Sequence, residues 1–298
     1  EVFTWGRMPT CAGAPTDSHS PVAVSSLKGR PVSQLSVGAA CALGLTDDGK
    51  VLVAGRLYQP DRIAVHQQQM THHEEEKNDW WLLNYFAGVK IAQVACGVFF
   101  NMFLGEGGEV FTCGQGKRGV LGHGDVMDRA QPNKVQELRD ERIAEIAAGG
   151  RHACALAYNG NLFSWGAGAH GRLGLGDEFD RHSPQLLHPM ADASFAVHVE
   201  CGYQHTCVLL DDGGLMSFGC GKRGQLGHGT VESVSKGQRV ELLGKERLVQ
   251  VACGAWHTLA LTQTGDLYSW GCGRYGQLGV EEDDLSDCPV PRLVVALH

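Results

Sequence analysis

The stretch LVQVACGAWHTLALTQTGDLYSWG, residues 248–271, decides the fold. It holds three short segments, VQVAC, HTLALTQ and DLYSW, rich in apolar and β-favouring residues and parted by glycine and polar turns. That pattern predicts short antiparallel strands and not helices. The same stretch recurs along the chain. The glycine of its first turn, Gly254, has counterparts at Gly38, Gly97, Gly149 and Gly202, at intervals of 59, 52, 53 and 52 residues. A second glycine follows 11 residues after each, at Gly49, Gly108, Gly160, Gly213 and Gly265. A third follows 6 residues later, at Gly55, Gly114, Gly166, Gly219 and Gly271. Both spacings hold in all five copies, so the chain is an array of one repeated unit.

Working outward, the steps LTDDGKV, LAYNGNL and LLDDGGL place Gly49, Gly160 and Gly213 in tight hairpin turns, which need a positive φ. After the third glycine comes a glycine-rich module: GQGKRGVLGHGD (114–125), GAGAHGRLGLGD (166–177), GCGKRGQLGHGT (219–230) and GCGRYGQLGVEE (271–282). Pro132, Pro184 and Pro289 stand 18 residues past the third glycine, and apolar edge-type segments such as PQLL and PRLVV follow. Each unit therefore has about four strands. One such sheet leaves two apolar faces and unpaired edges, and radial stacking of the units covers them. The expected fold class is an all-β propeller of four-stranded blades.

The pattern V-x-x-W-G-x-G-x-x-G-x-L-G-x-G, then P-x-x-V, then V-x-x-V-x-x-G-x-x-H-T-x-x-L, resembles the regulator of chromosome condensation (RCC1-like) repeat. The likeness covers nearly the whole chain and is strongest from Val110 to Val295. Residues 1–90 diverge. EVFTWG keeps the anchor at Gly6, but GRMPTCAGAPTD replaces the glycine-rich module, and VLVAG at 51–55 is followed by no G-x-L-G. The resemblance implies a seven-bladed propeller. Six anchor halves are visible, giving five complete blades and one half within a single domain over 1–298, with an insertion near 59–86. Six and seven blades both remain open. The chain opens on Glu1, which fits a segment of a longer protein.

Composition bounds the function. The 298 residues are 43% hydrophobic and 19% charged, as expected of a globular chain. No apolar run reaches the roughly 18 residues of a membrane span, and no signal peptide is visible. The net charge of −8 argues against a partner held through phosphates, so direct nucleic-acid binding is not expected, and it favours a protein partner with a basic face. The 11 cysteines include no C-x-x-C pair and recur at repeat positions (Cys96, Cys201 and Cys253; Cys220 and Cys272), which reads as small buried thiols in a reducing, intracellular compartment, cytoplasmic or nuclear.

No catalytic residue is expected. G-x-S-x-G, a Walker loop and H-E-x-x-H are all absent. The four G-x-G-x-x-G runs do not open helices, so they read as tight bends and blade packing with no cofactor. His152, His205 and His257 share one register, with Cys41 and Phe100 in the other copies. They read as imidazoles bonded to backbone within their own blades and not as a metal triad. Trp5, Trp165 and Trp270, before the anchor glycine, read as framework. His72, His73 and Glu74–Glu76 are too local a cluster for a metal site.

The two residues between the first glycine and the histidine register are different. They are Ala39–Ala40, Val98–Phe99, Gly150–Arg151, Tyr203–Gln204 and Ala255–Trp256, and they vary while the frame around them does not. Lying at bends, they should share one face of the ring. Phe99, Arg151, Tyr203, Gln204 and Trp256 are therefore the expected partner-binding residues, being mostly types that carry interface energy. The leading expectation is a protein–protein interaction platform. The resemblance implies an alternative, a guanine nucleotide exchange factor for the small GTPase Ran, which acts by binding. A light-sensing role, as in the related plant UV-B photoreceptor, has one GAWHT to stand on, and chromatin binding lacks a basic tail.

Overall fold

The structure is a computed structural model that describes residues 2–6, 18–24, 27–55, 57, 80–86, 88–187, 194–244, 246–279 and 285–295. It is all-β. Helical structure among these residues is confined to single 3-10 turns such as Lys117–Gly119 and Ala169–Gly171.

The half-blade pairs β1 (Phe3–Gly6) with β2 (Ser18–Ala23). Five four-stranded antiparallel blades follow. Blade 1 is β3 (Val32–Val37), β4 (Cys41–Thr46), β5 (Val51–Gly55) and β6 (Trp81–Leu82). Blade 2 is β7 (Ile91–Cys96), β8 (Phe100–Gly105), β9 (Val110–Gly114) and β10 (Arg129–Lys134). Blade 3 is β11 (Ile143–Ala148), β12 (His152–Ala157), β13 (Leu162–Gly166) and β14 (Arg181–Leu186). Blade 4 is β15 (Ala196–Cys201), β16 (His205–Leu210), β17 (Leu215–Gly219) and β18 (Val234–Arg239). Blade 5 is β19 (Leu248–Cys253), β20 (His257–Thr262), β21 (Leu267–Gly271) and β22 (Cys288–Leu293). Five complete blades and a half are what the glycine spacing predicts.

The core lies between blades. The second strands β4, β8, β12 and β16 are buried along their whole length because a sheet covers each face. Each packs on the first strand of the next blade. At the junction of blades 4 and 5, for example, Leu209 and Leu215 meet Leu248, Val251 and Trp270. Each such side chain contributes about 1.5–3 kcal/mol by leaving water. The fourth strands of blades 2 and 3 are polar and largely exposed, so Pro132 and Pro184 sit where a missing N–H costs little. In blade 5 the pattern changes: β20 alternates between half-buried and buried.

The glycine-rich modules hook blades 2, 3 and 4 each to the blade that follows. A Cβ on Gly171 would lie 2.2 Å from the Cα of Ser235 in the fourth strand of blade 4, and its φ is +73°. Gly119 and Gly224 meet His182 and Pro289 in the same way. A hydroxyl two residues before each anchor glycine closes the module: Thr112, Ser164, Ser217 and Ser269 donate to the carbonyls of Leu121, Leu173, Leu226 and Leu278 at 2.6–2.7 Å. Trp165 and Trp270 are fully buried and donate their indole N–H to the preceding blade's module, at Val120 and Gln225. These two tryptophans are framework, as expected; the side chain of Trp5 lies outside the described residues.

Of the stretch read as an insertion, residues 80–86 are described. Trp81–Leu82 form the fourth strand of blade 1, pairing with Val53 and Leu52. Phe86 packs on Phe103 and Phe111 of blade 2, so the apolar end of this stretch is part of the fold. His72, His73 and Glu74–Glu76 lie outside the described residues.

Candidate functional site

Each first strand turns into the second through a two-residue bend. The bend closes through its glycine, as in Gly202 N–H to the His205 carbonyl at 2.9 Å and Gly149 N–H to that of His152 at 2.8 Å. The two tip residues project beyond this closure, and the carbonyl of the second is tied down. Phe99, Arg151, Gln204 and Trp256 each accept from the N–H that follows the anchor glycine, at 2.8–2.9 Å. The tips are also tied sideways. Val98 N–H meets the Gly150 carbonyl at 3.4 Å, Gly150 N–H meets that of Gly202 at 3.3 Å, and Tyr203 N–H meets that of Ala255 at 3.2 Å. Blades 2 to 5 thus present one continuous row of bends.

The structure brings the five sequence-predicted residues onto that row. Phe99 and Tyr203 are 37% and 36% exposed, large for aromatic rings on a rigid turn. Tyr203 stacks at a tilt on Trp256, with ring centroids 5.2 Å apart. Gly150 lies under Tyr203, where a Cβ would come within 2.6 Å of the ring. Arg151 is exposed, while Gln204 and Trp256 are half-buried.

Several residues of this surface were not singled out from the sequence. Arg172 is buried, and its Nε donates to the Ala169 carbonyl at 2.8 Å. Burial pulls its guanidinium below the usual arginine range, with Tyr203 and Arg151 among its electrostatic neighbours. The variable pairs inside the glycine-rich modules are exposed as well: Lys117–Arg118, and Arg274 with Tyr275, which is 89% exposed. Arg118 reaches Asp180 of the next blade at 3.0 Å, and Arg223 reaches Asp287 at 2.9 Å. The signal was in the sequence. The pair reads K-R in two copies, A-H in a third and R-Y in a fourth, so like the bend tips it is not fixed by the frame.

Two of the three histidines correct an expectation. All three were expected to bond within their own blades, and instead His152 and His205 join neighbouring ones. His152 Nε2 lies 2.9 Å from the Thr206 hydroxyl, and His205 Nε2 lies 3.1 Å from that of Thr258. Thr206 and Thr258 spend their own protons on the carbonyls of Arg172 and Gln225, so each imidazole must be the donor. Desolvation favours the neutral form of both rings, driving His152 well below the usual histidine range and His205 to about 3.

Among the described residues, His205, Cys207 and Cys253 place potential ligand atoms within 4.8 Å of one another. The same trio, His152, Cys154 and Cys201, holds the same register one blade earlier, with its two thiols also in contact. The motif repeats at successive junctions, and in both copies the imidazole Nε2 is taken by a threonine hydroxyl of the next blade. The ten described cysteines are free thiols.

The RCC1-like domain profile matches residues 1–298. The chain belongs to the RCC1-like domain family. Human HERC3, a probable E3 ubiquitin-protein ligase, is 41% identical over 204 residues, which is 67% of this chain and 19% of that protein. The ultraviolet-B receptor UVR8 of Arabidopsis thaliana is 32% identical over 290 residues, covering 96% of this chain and 64% of the receptor. The chain therefore spans about a fifth of one relative and under two thirds of the other. Among solved structures, human WBSCR16 superposes with a TM-score of 0.79 at 26% identity, covering 96% of this chain and 74% of that one. Yeast Prp20p, studied for its binding to Gsp1p and histones, gives 0.79 at 24% identity, a likeness of fold, over 98% of this chain and 72% of that one. No helix in the described part of this RCC1-like domain is long and apolar enough to cross a membrane.

Proposed function

We propose that this RCC1-like domain is a docking platform whose protein partner binds the row of bends, with Phe99, Arg151, Tyr203, Gln204 and Trp256 making the contacts. The observation that carries this reading is a contrast within each bend. The glycine and the joint residue keep their roles, while the tips change from blade to blade and are still held by backbone bonds on two sides. Side chains that the fold does not dictate, on turns already ordered, offer contact area at a small entropy cost. Tyr203 and Trp256 form the aromatic centre, and Arg151 supplies charge beside it.

The test is capture from cell extract with the intact chain and with a Tyr203→Ala/Trp256→Ala variant. The variant should lose its main partner by about tenfold or more. Recovery of the same partners at the same yield overturns the assignment of this face. The alternative, nucleotide exchange on a Ran-type GTPase, works by the same binding logic and rests on the shared fold. Accelerated release of labelled GDP from Ran by the intact chain would establish it; an unchanged rate leaves the platform.

A further inference from the structure

In blades 1 to 4, the first-strand residue four before the bend glycine faces the next blade; its blade 5 counterpart, Gln250, is exposed. The row reads Gln34, Gln93, Glu145, His198, Gln250. In blades 1 and 2, where it is glutamine, one amide serves the neighbouring backbone. Gln34 Oε1 accepts from Val94 N–H at 2.9 Å. Gln93 accepts from Ile146 N–H at 2.8 Å and donates to the Ile146 carbonyl at 3.0 Å. These side chains and the strands carrying them line an open cleft along blades 1 to 3, with Ser33, Ala92 and Ala144 beside them.

At blade 4 the chemistry changes. His198 Nδ1 lies 2.6 Å from Glu145 Oε1 of blade 3. Its Nε2 lies 3.3 Å from the Val251 carbonyl of blade 5 and 3.8 Å from Glu200 Oε1 of its own strand. A backbone carbonyl only accepts, and so does an ionised carboxylate. A neutral imidazole has one N–H and can satisfy one of the two. Only the imidazolium donates to both.

We propose that His198 is a proton-dependent clamp that ties blades 3, 4 and 5 together in its doubly protonated form and releases one neighbour when it becomes neutral. The titratable groups facing it are Glu145 on β11 and Glu200 on β15. From β19 come the Val251 carbonyl and the thiol of Cys253, which points to the Glu200 carbonyl at 3.8 Å. Burial pulls the imidazole down, but the hydrogen bond and charge of Glu145, helped by Glu200, hold it above the usual histidine range. Burial pushes Glu200 up to about 7. Both groups keep protons longer in the fold than in the unfolded chain, so both make the fold more stable at low pH. The glutamate's contribution fades between about pH 4.5 and 7. The histidine's is complete below about 6.5 and fades as pH rises through its higher folded value. The glutamine joints of blades 1 and 2 have no such dependence.

The experiment uses the full chain and two readouts. Nitrogen NMR shifts of the His198 ring at about pH 6 should show both nitrogens protonated, with titration above the free-histidine range. A ring with one bare nitrogen at that pH overturns the clamp. Urea midpoints between about pH 6.5 and 8.5 should fall for the parent chain, and His198→Gln, which installs the joint used elsewhere, should remove at least half of that fall. An equal fall in the variant also overturns it.

Discussion

In blade 4 the joint to the next blade runs from His205 through Thr258 to the Gln225 carbonyl, all of it buried. In blade 1 the corresponding residue is Cys41, whose thiol meets the Asn101 amide oxygen at 3.1 Å. Blade 4 closes on a glycine-rich module and a six-residue fourth strand. Blade 1 has no such module and closes on the two residues Trp81–Leu82. What the two share is register. A polar group three residues after the bend glycine reaches the residue four after the next one, and the fold accepts imidazole–hydroxyl or thiol–amide at that point.

The largest expected effect tests how much of the frame rests on the intact pattern. Trp270→Ala should cost about 3–5 kcal/mol, seen as a lower urea midpoint, because it opens a cavity in the core. At the equivalent place in the junction of blades 1 and 2 stands Cys113, and Cys113→Ala should cost about 1 kcal/mol. Equal losses would mean that the junctions do not differ. Next, Gly171→Ala and Gly276→Ala share a positive φ, +73° and +74°, but a Cβ at Gly276 has nothing within 4 Å. The first should lose several kcal/mol and the second about 1–2, the cost of the left-handed backbone alone. The difference in their midpoints measures the hook between blades.

Thr258→Val should follow at about 1–3 kcal/mol, since it strands the His205 N–H in a dry core. Acidification probes the same joint. The folded pKa of His205, about 3, lies below its unfolded value near 6.5, so the fold binds fewer protons and loses stability as pH falls below about 6.5. His152 adds to that loss and Glu200 opposes it. His205→Gln should flatten the acid limb of a midpoint-against-pH curve, whereas Cys41→Ala should leave its slope unchanged. Smallest of all, Tyr203→Ala should shift the midpoint by under about 1 kcal/mol, because a half-exposed tip supports little of the core.

The glycine spacing made the strands, the number of complete blades and the bends legible, because turns with positive φ tolerate few residues besides glycine. The bend tips were legible as the places where the pattern stops. Three features were not. Periodicity locates His205 but says nothing of its direction, and its partner Thr258 lies one full repeat away. Trp81–Leu82 carries no glycine anchor, so its pairing with β5 has no mark in the sequence. The basic and aromatic pairs at Lys117–Arg118 and Arg274–Tyr275 had a signal, their change between copies, but it lay inside a motif read only for its glycines.

The forward hook of the glycine turns bears on how the chain is made. The turn at Gly171 closes on Ser235, so while the ribosome is still building blade 4, blade 3 already has all four strands and nothing to latch onto. In blades 2 to 4 each finished sheet waits for its successor's last strand to emerge. A pause in translation just ahead of such a strand would leave one unlatched blade open to chaperones and proteases, with the hooks before it already shut.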